Sequence, residues 1–275
     1  MAVSRTSREA LRAHLLAAGV AGEVTTTRER SLRRYRMFAA RDPRATLGLD
    51  PERRWDERDV LALMADRCGV SADPGCVSGP DVIDPGRTLD ALDAFADRLA
   101  EVAGRRGPVL FGTGHPHRLL GFYGGLADAL SAVGCLVLTP AQGRSVDITT
   151  RFGVRTGTLA YVQGVALVRE GGARGASDGT GAHTHSPLPL RLALEGLATA
   201  GGPLPELVVG DHGWVCGAGQ LGFRAVGLAD ADDPAVFVGE AEGRIAAAVP
   251  LDDSVRPDRY RPLMRYVLKR ACLSQ

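Results

Sequence analysis

Five of the six histidines fall in three short loops. His115 and His117 lie in GTGHPHR, His183 and His185 in HTHS, and His212 follows Asp211 in GDHGW. Alternate residues of an extended chain share a side, so each His-x-His pair directs two imidazoles the same way, where they converge on a metal ion or an anionic group. Carboxylates stand nearby in the chain: Asp211 ends one apolar run, and Asp230, Asp232 and Asp233 follow the next. Imidazole and carboxylate together hold a divalent cation, or one acts as general base on water while a metal or an arginine stabilises phosphoryl oxygens. On this reading His183, His185, Asp211 and Asp232 are expected to ligate a divalent ion (Mg²⁺, Mn²⁺ or Zn²⁺). Asp211, His212 and His115 are expected to carry the proton chemistry, with His212 or Asp211 as the base.

The loop at 112–118 precedes a helical stripe, so its N–H groups and the helix N-terminus are expected to cradle a phosphate. Gly112, Thr113, Gly114 and the guanidinium of Arg118 would make those contacts, with Ser186 beside the second histidine pair. GTGHPHR is not a dinucleotide fingerprint, because it lacks the third glycine at the required spacing. The competing reading leaves the glycines a tight turn only. For Asp232-Asp233-Pro234 the competing reading is a helix cap, assigned to one of the two aspartates. Glu240 and Glu242 read as a solvated helix face.

The elements that must position these groups fall into two regions. Residues 1–106 read as mostly helical, a lid or dimer arm. Ser7 precedes an amphipathic run through Leu11 and Leu15, Asp56 or Asp59 caps the run at Val60, and Thr88 opens LDALDAFADRLAEVA. The stretches 42–51 and 72–87 read as ordered connectors. Residues 107–275 alternate strand, loop and helix. Strands are expected at 109–111, 135–138, 164–169, 207–210 and 225–228, with helices through Leu126 and Leu194. Such alternation implies right-handed crossovers, hence an α/β, Rossmann-like, mainly parallel sheet with helices on both faces. Ligand sites in such sheets lie beyond the carboxyl ends of the strands, where all three histidine loops fall. The glycine-rich tract at 171–181 reads as a mobile loop over the ligand or a surface insertion.

Composition narrows the classes. With 275 residues, 45% hydrophobic content and a net charge of +1, the chain buries a substantial core and is not a general nucleic-acid binder. The arginines at 28, 30, 33, 34 and 36 read as a solvated helix face. Lys269 is the sole lysine, which argues against a Walker A loop and a pyridoxal Schiff base. Five scattered cysteines without a CxxC pair fit reduced thiols. With no membrane-length apolar run and no signal core, the expected setting is the cytoplasm, away from membranes. A homodimer is compatible with the apolar helices of the first region.

Several longer strings carry a resemblance. TGHPHRLL, HTHSPLP, GDHGW, and GLADADDPAVFVGEAEGR running into VPLDDSV resemble an actinobacterial family of proteins named simply phosphatases, as do CGV and DVIDP in the first region. Asp232 stands where that family has an asparagine. The resemblance implies hydrolysis of a small phosphorylated metabolite and brings no catalytic assignment with it. The DxDx(T/V) strand of haloacid dehalogenases and the Arg-His-Gly of histidine phosphatases are both absent. A sugar-phosphate isomerase or phosphosugar-binding protein of the SIS-like type uses a similar sheet and is the alternative; a regulatory ligand-binding module is the third reading.

Overall fold

The computed structural model describes residues 5–150, 153–170 and 181–273, so all of the glycine-rich tract except Gly181 lies outside the described residues. The first region contains α1 (Arg5–Ala17), β1 (Gly22–Thr27), α2 (Arg28–Ala39), α3 (Pro43–Thr46), α4 (Glu57–Cys68), β2 (Pro80–Ile83) and α5 (Pro85–Arg105). Then follow β3 (Val109–Gly112), α6 (Pro116–Ala132), β4 (Ser145–Thr150), β5 (Gly153–Val162), β6 (Val165–Glu170) and α7 (Leu188–Ala200). The chain continues through β7 (Leu207–Asp211), α8 (His212–Gln220), β8 (Ala225–Ala229), α9 (Pro234–Ala241), β9 (Ala247–Pro250), a short 3₁₀ turn and α10 (Arg261–Arg270).

Seven strands form one sheet in the order β4-β5-β6-β3-β7-β8-β9. The five from β6 to β9 run parallel, and β4 and β5 extend the sheet antiparallel from β6. Helices cover both faces: α5, α6 and α10 pack together on one, and α7, α8 and α9 follow one another across the other. The mainly parallel α/β sheet is therefore as the alternation implied. All five residues of β7 and of β8 are buried, as strands covered on both faces must be.

Several local expectations are corrected. The 135–138 run makes only an isolated bridge, Val109 to Val137, because the chain turns away after one residue of contact. The strands β4 and β5 went unread; Val146 and Ile148 alternate with exposed neighbours in a short, Thr-rich segment with little periodicity to detect. In the first region the 72–87 connector contains β2, which pairs antiparallel with β1. Helix α5 begins at Pro85 rather than Thr88: Asp84 caps it by accepting from the Gly86 N–H, and Thr88, one turn inside, donates its hydroxyl to the Pro250 carbonyl at 2.8 Å. For α4 both candidate caps act together, Asp56 and Asp59 forming a reciprocal capping box.

The first region shares the core of the second. One contiguous buried cluster runs from Leu11 to Leu273, and the stripe Leu89, Leu92, Phe95, Ala96, Leu99 and Val102 of α5 belongs to it. The ribbon of β1 is tied to the loops after β8 and β9. Thr26 donates its hydroxyl to Asp230 at 2.5 Å, and Thr25 donates its N–H and hydroxyl to Asp252 at 2.8 and 2.6 Å. The arginine face of α2 is solvated only in part: Arg33 and Arg36 are exposed as expected, but three others are engaged. Arg28 is fully buried, donating to the carbonyls of Cys76 and Ser71 and facing Asp81, and Arg30 and Arg34 point toward the carboxyl ends of the strands.

Candidate active site

From β3 the chain continues through α6 toward β6 on one side; from β7 it continues through α8 to β8 on the other. Adjacent parallel strands whose connections leave in opposite directions open a crevice between their carboxyl ends, which is where doubly wound sheets bind ligands. The loop after β3 brings Thr113, Gly114 and His115 to this crevice, and the end of β7 brings Asp211 and His212. The segment before α7 crosses it, Thr184 donating its N–H to the Gly114 carbonyl at 3.0 Å. That crossing delivers His183 and His185.

Four imidazoles meet here. Ring centres lie 3.9 Å apart for His115 and His183, 4.4 Å for His115 and His212, and 4.0 Å for His185 stacked on His212. The His183 and His185 Nε2 atoms face each other at 2.9 Å. His183 is exposed and forms the mouth, whereas His212 is 1% exposed and forms the floor. His212 opens α8 with φ of 44°, a left-handed conformation that costs a non-glycine residue on the order of 1 kcal/mol or more and persists where surrounding contacts enforce it. Those contacts are carboxylates: Asp211 Oδ1 at 3.2 Å from Nδ1, and Asp233 Oδ2 and Asp253 Oδ2 at 2.9 and 3.2 Å from Nε2.

Two comparisons with known proteins bear on this crevice. The family described as "Phosphatase" matches residues 6–275. A protein of Streptomyces coelicolor named Phosphatase SCO2771 is 44% identical over 272 residues, covering 97% of each chain. The chain belongs to this phosphatase family.

In this phosphatase-family member burial and charge divide the titratable groups sharply. Desolvation, reinforced by neighbouring imidazoles, drives His183 down to about 3 and His185 well below the ordinary histidine range; burial also lowers His115. These three are held neutral, the form in which imidazole ligates a metal. Although burial opposes it, Asp233 together with Asp211 and Asp253 lifts His212 well above the ordinary range. Burial and the neighbouring carboxylates keep Asp230 well above the usual carboxylate range, and burial with Asp233 raises Asp232 to about 6 against the pull of Arg30 and Arg34.

The expected site residues are distributed as follows. His115, His183, His185, Asp211 and His212 share the cluster. His117 does not, because Pro116 starts α6 and turns the next residue out to an exposed position, breaking the alternation of an extended chain. Asp232 is drawn off by Arg30, whose Nε donates to it at 2.6 Å, and the neighbouring Asp233 faces His212 instead. Neither aspartate caps α9: Asp233 occupies the cap position without a side-chain bond to it. Asp211 accepts from the Thr113 hydroxyl and the Gly114 N–H, both at 2.6 Å, so it orients the loop and His212 rather than standing open as a base. Glu240 and Glu242 also serve packing, accepting from the Ala248 N–H and from the Trp55 indole respectively.

The 112–118 loop has its donors engaged already. Thr113 N–H goes to Ala166, Gly114 N–H to Asp211 and His115 N–H to the Thr113 hydroxyl. Ser186 accepts from the Leu188 N–H at the entry to α7, and Arg118 makes no hydrogen bond or ion pair with the cluster among the described residues. Gly114 is required by close approach: a Cβ there would lie 2.0 Å from the Thr184 carbonyl oxygen. At Gly112 a Cβ would lie 2.2 Å from the Trp214 ring. Gly112→Ala is therefore expected to cost about 3 kcal/mol of stability through overpacking, read as a lowered urea midpoint. An unchanged midpoint with weakened substrate binding would restore the phosphate reading.

Sequence reasoning missed Arg34, Arg30 and Asp253. Arg34 Nη2 approaches His185 Nδ1 at 3.4 Å and Asp233 Oδ1 at 3.6 Å, at the rim of the cleft. Asp253 Oδ2 lies 3.3 Å from His115 Nδ1. The VPLDDSV string was a signal for Asp253; nothing in the 28–36 stretch separated Arg34 from its solvated neighbours. Among the described residues, four groups place ligand atoms within 4.8 Å of one another: His115–His183–His185, His115–Asp211–His212, His185–His212–Asp233 and Asp230–Asp252–Asp253. Also among the described residues, no helix is long and apolar enough to cross a membrane.

Proposed function

We propose that this member of the phosphatase family hydrolyses phosphomonoesters of small metabolites with the help of a divalent ion held at the mouth of the cleft by His115, His183 and His185. The observation that carries the reading is the convergence of three neutral imidazoles above a floor crowded with buried carboxylates. Asp211, Asp230, Asp232, Asp233, Asp252 and Asp253 are all buried there, opposed by Arg30, Arg34 and His212. Even with Asp230 held well above the usual carboxylate range, the remaining carboxylates outweigh these cations and disfavour a phosphate dianion, and a cation at the mouth would offset the field the substrate meets.

A bound ion would supply positive charge to the phosphoryl oxygens, the Lewis-acid role. The donor set, three imidazoles, favours Zn²⁺ over Mg²⁺, with Mn²⁺ between them. The chain's own residues do the positioning. Asp211 locks the glycine loop and the His212 ring, and Arg34 offers a planar fork of donors at the rim, suited to two phosphoryl oxygens at once. Arg30, anchored on Asp232, adds a second positive charge one helical turn away.

Chelator-stripped protein is to be assayed on a panel of phosphate monoesters with and without Mg²⁺, Mn²⁺ or Zn²⁺. Inorganic phosphate is expected to appear only after Zn²⁺ or Mn²⁺ is restored. Phosphate release unaffected by chelation sinks the metal role. No release under any condition sinks the hydrolase reading, and ³¹P NMR of the same mixtures would then reveal isomerisation with the ester intact.

A further inference from the structure

We infer that the cleft binds two cations, the second in a deeper position formed by His212, Asp233 and Asp253, with the Asp253 carboxylate shared between the two. The inference rests on the metal-assisted reading above and extends it to the floor of the same cleft.

Three buried polar atoms on this floor make no well-aligned hydrogen bond: His212 Nε2, which faces carboxylate oxygens at 2.9 and 3.2 Å, Asp253 Oδ2, and Asp233 Oδ1, whose neighbour is the Arg34 guanidinium at 3.6 Å. Their side chains are 1%, 1% and 7% exposed, so water does not satisfy them freely. His212 Nε2 faces Asp233 Oδ2 and Asp253 Oδ2 together, and a ring nitrogen carries at most one hydrogen, which two carboxylates can only share in a weaker, divided bond. Leaving such groups poorly satisfied in a buried setting is unfavourable, the more so when they are charged. A cation held by His212 Nε2, Asp253 Oδ2 and the Asp233 oxygen that faces them, Oδ2, would satisfy the first two, while Arg34 faces the remaining Asp233 Oδ1.

The orientation of His212 points the same way. Its Nδ1 rests against Asp211, which is itself held by Thr113 and Gly114, so Nε2 is the nitrogen turned toward Asp233 and Asp253, where a bound cation would take the place of its proton. A carboxylate behind one ring nitrogen and an ion before the other is the usual support of a ligating histidine. The left-handed backbone at His212 keeps the ring in that attitude. Asp253 lies between the two positions: its Oδ2 is 3.3 Å from Nδ1 of His115, a residue of the mouth group, and 3.2 Å from His212 Nε2, on the floor. Mixed imidazole and carboxylate donors select Mn²⁺ or Zn²⁺ for the deep position also. Two ions sharing a carboxylate can clamp both the attacking and the leaving oxygen of a phosphoryl group.

Stripped full-length protein is to be reloaded with Mn²⁺, desalted, and examined by elemental analysis and electron paramagnetic resonance. The expected result is two Mn²⁺ per chain with the spectrum of a coupled pair. Asp233→Asn is expected to retain one ion with an isolated-ion spectrum, and His183→Ala likewise, through loss of the other position. Should Asp233→Asn fold poorly by circular dichroism, Asp253→Asn reports the same loss of coupling. One isolated Mn²⁺ per wild-type chain overturns the deep position while the mouth site stands. No Mn²⁺ or Zn²⁺ bound overturns both, and phosphate release by metal-free protein would show that the hydrolase reading survives without them.

Discussion

His183→Ala is expected to lower kcat/KM for phosphomonoester hydrolysis by about a thousandfold while leaving the thermal midpoint almost unchanged. The two halves of that expectation have separate causes. His183 is exposed, and its contacts are with other imidazoles of the cluster, so its removal takes little from the core. Surface truncations of this kind cost roughly 0.5 kcal/mol or less. Its nitrogen is one of three at the mouth, and losing it would weaken the hold on the proposed cation, whose charge would be worth several kcal/mol at the transition state. At 1.36 kcal/mol per tenfold, about 4 kcal/mol corresponds to roughly a thousandfold. Steady-state kinetics beside a thermal melt reads both quantities; wild-type turnover in a folded variant would remove His183 from the site. Restoring turnover at high Zn²⁺ or Mn²⁺ would identify the defect as weakened binding.

Arg34→Ala is expected to reduce kcat/KM by about a hundredfold to a thousandfold, the scale of losing one preorganised donor to a developing oxyanion. Arg34 is 14% exposed and held at the rim by Asp233 and His185, so its ordering cost is met before substrate arrives. Arg34→Lys keeps the charge but loses the fork, and is expected to recover only a small part of the activity. The control is metal content: removing a positive charge beside Asp233 does not loosen a cation, so the bound metal should be retained. Lost activity with lost metal would mean that Arg34 supports the cluster rather than the substrate.

Much of the architecture was legible because it is local. The alternation of apolar strand and helical stripe from residue 107 onward implied the mainly parallel sheet, and two of the histidine loops, after β3 and β7, fell at strand ends because short strands stop where apolar runs stop; the 183–185 pair instead precedes α7. Asp56 and Asp59 announced their helix because a capping box is written within four residues. The segments β4 and β5 were illegible for the converse reason: a partly exposed antiparallel edge has little apolar pattern, and its order comes from pairing with β6.

By itself, the sequence determined which titratable groups are available, histidines and aspartates near the carboxyl ends of parallel strands, in a chain that belongs to the phosphatase family. The tertiary structure decided which of those groups meet. His115 and His117 are two residues apart, yet a proline-started helix separates them; Asp232 and Asp233 are adjacent, yet one is taken by Arg30 and the other faces His212. Gly112 and Gly114 are small for Trp214 and Thr184, residues about 100 and 70 positions away. Arg34 reaches the cleft from a helix more than 150 residues before His185. Contacts of that span depend on the summed packing of every intervening element, which no short window of sequence contains.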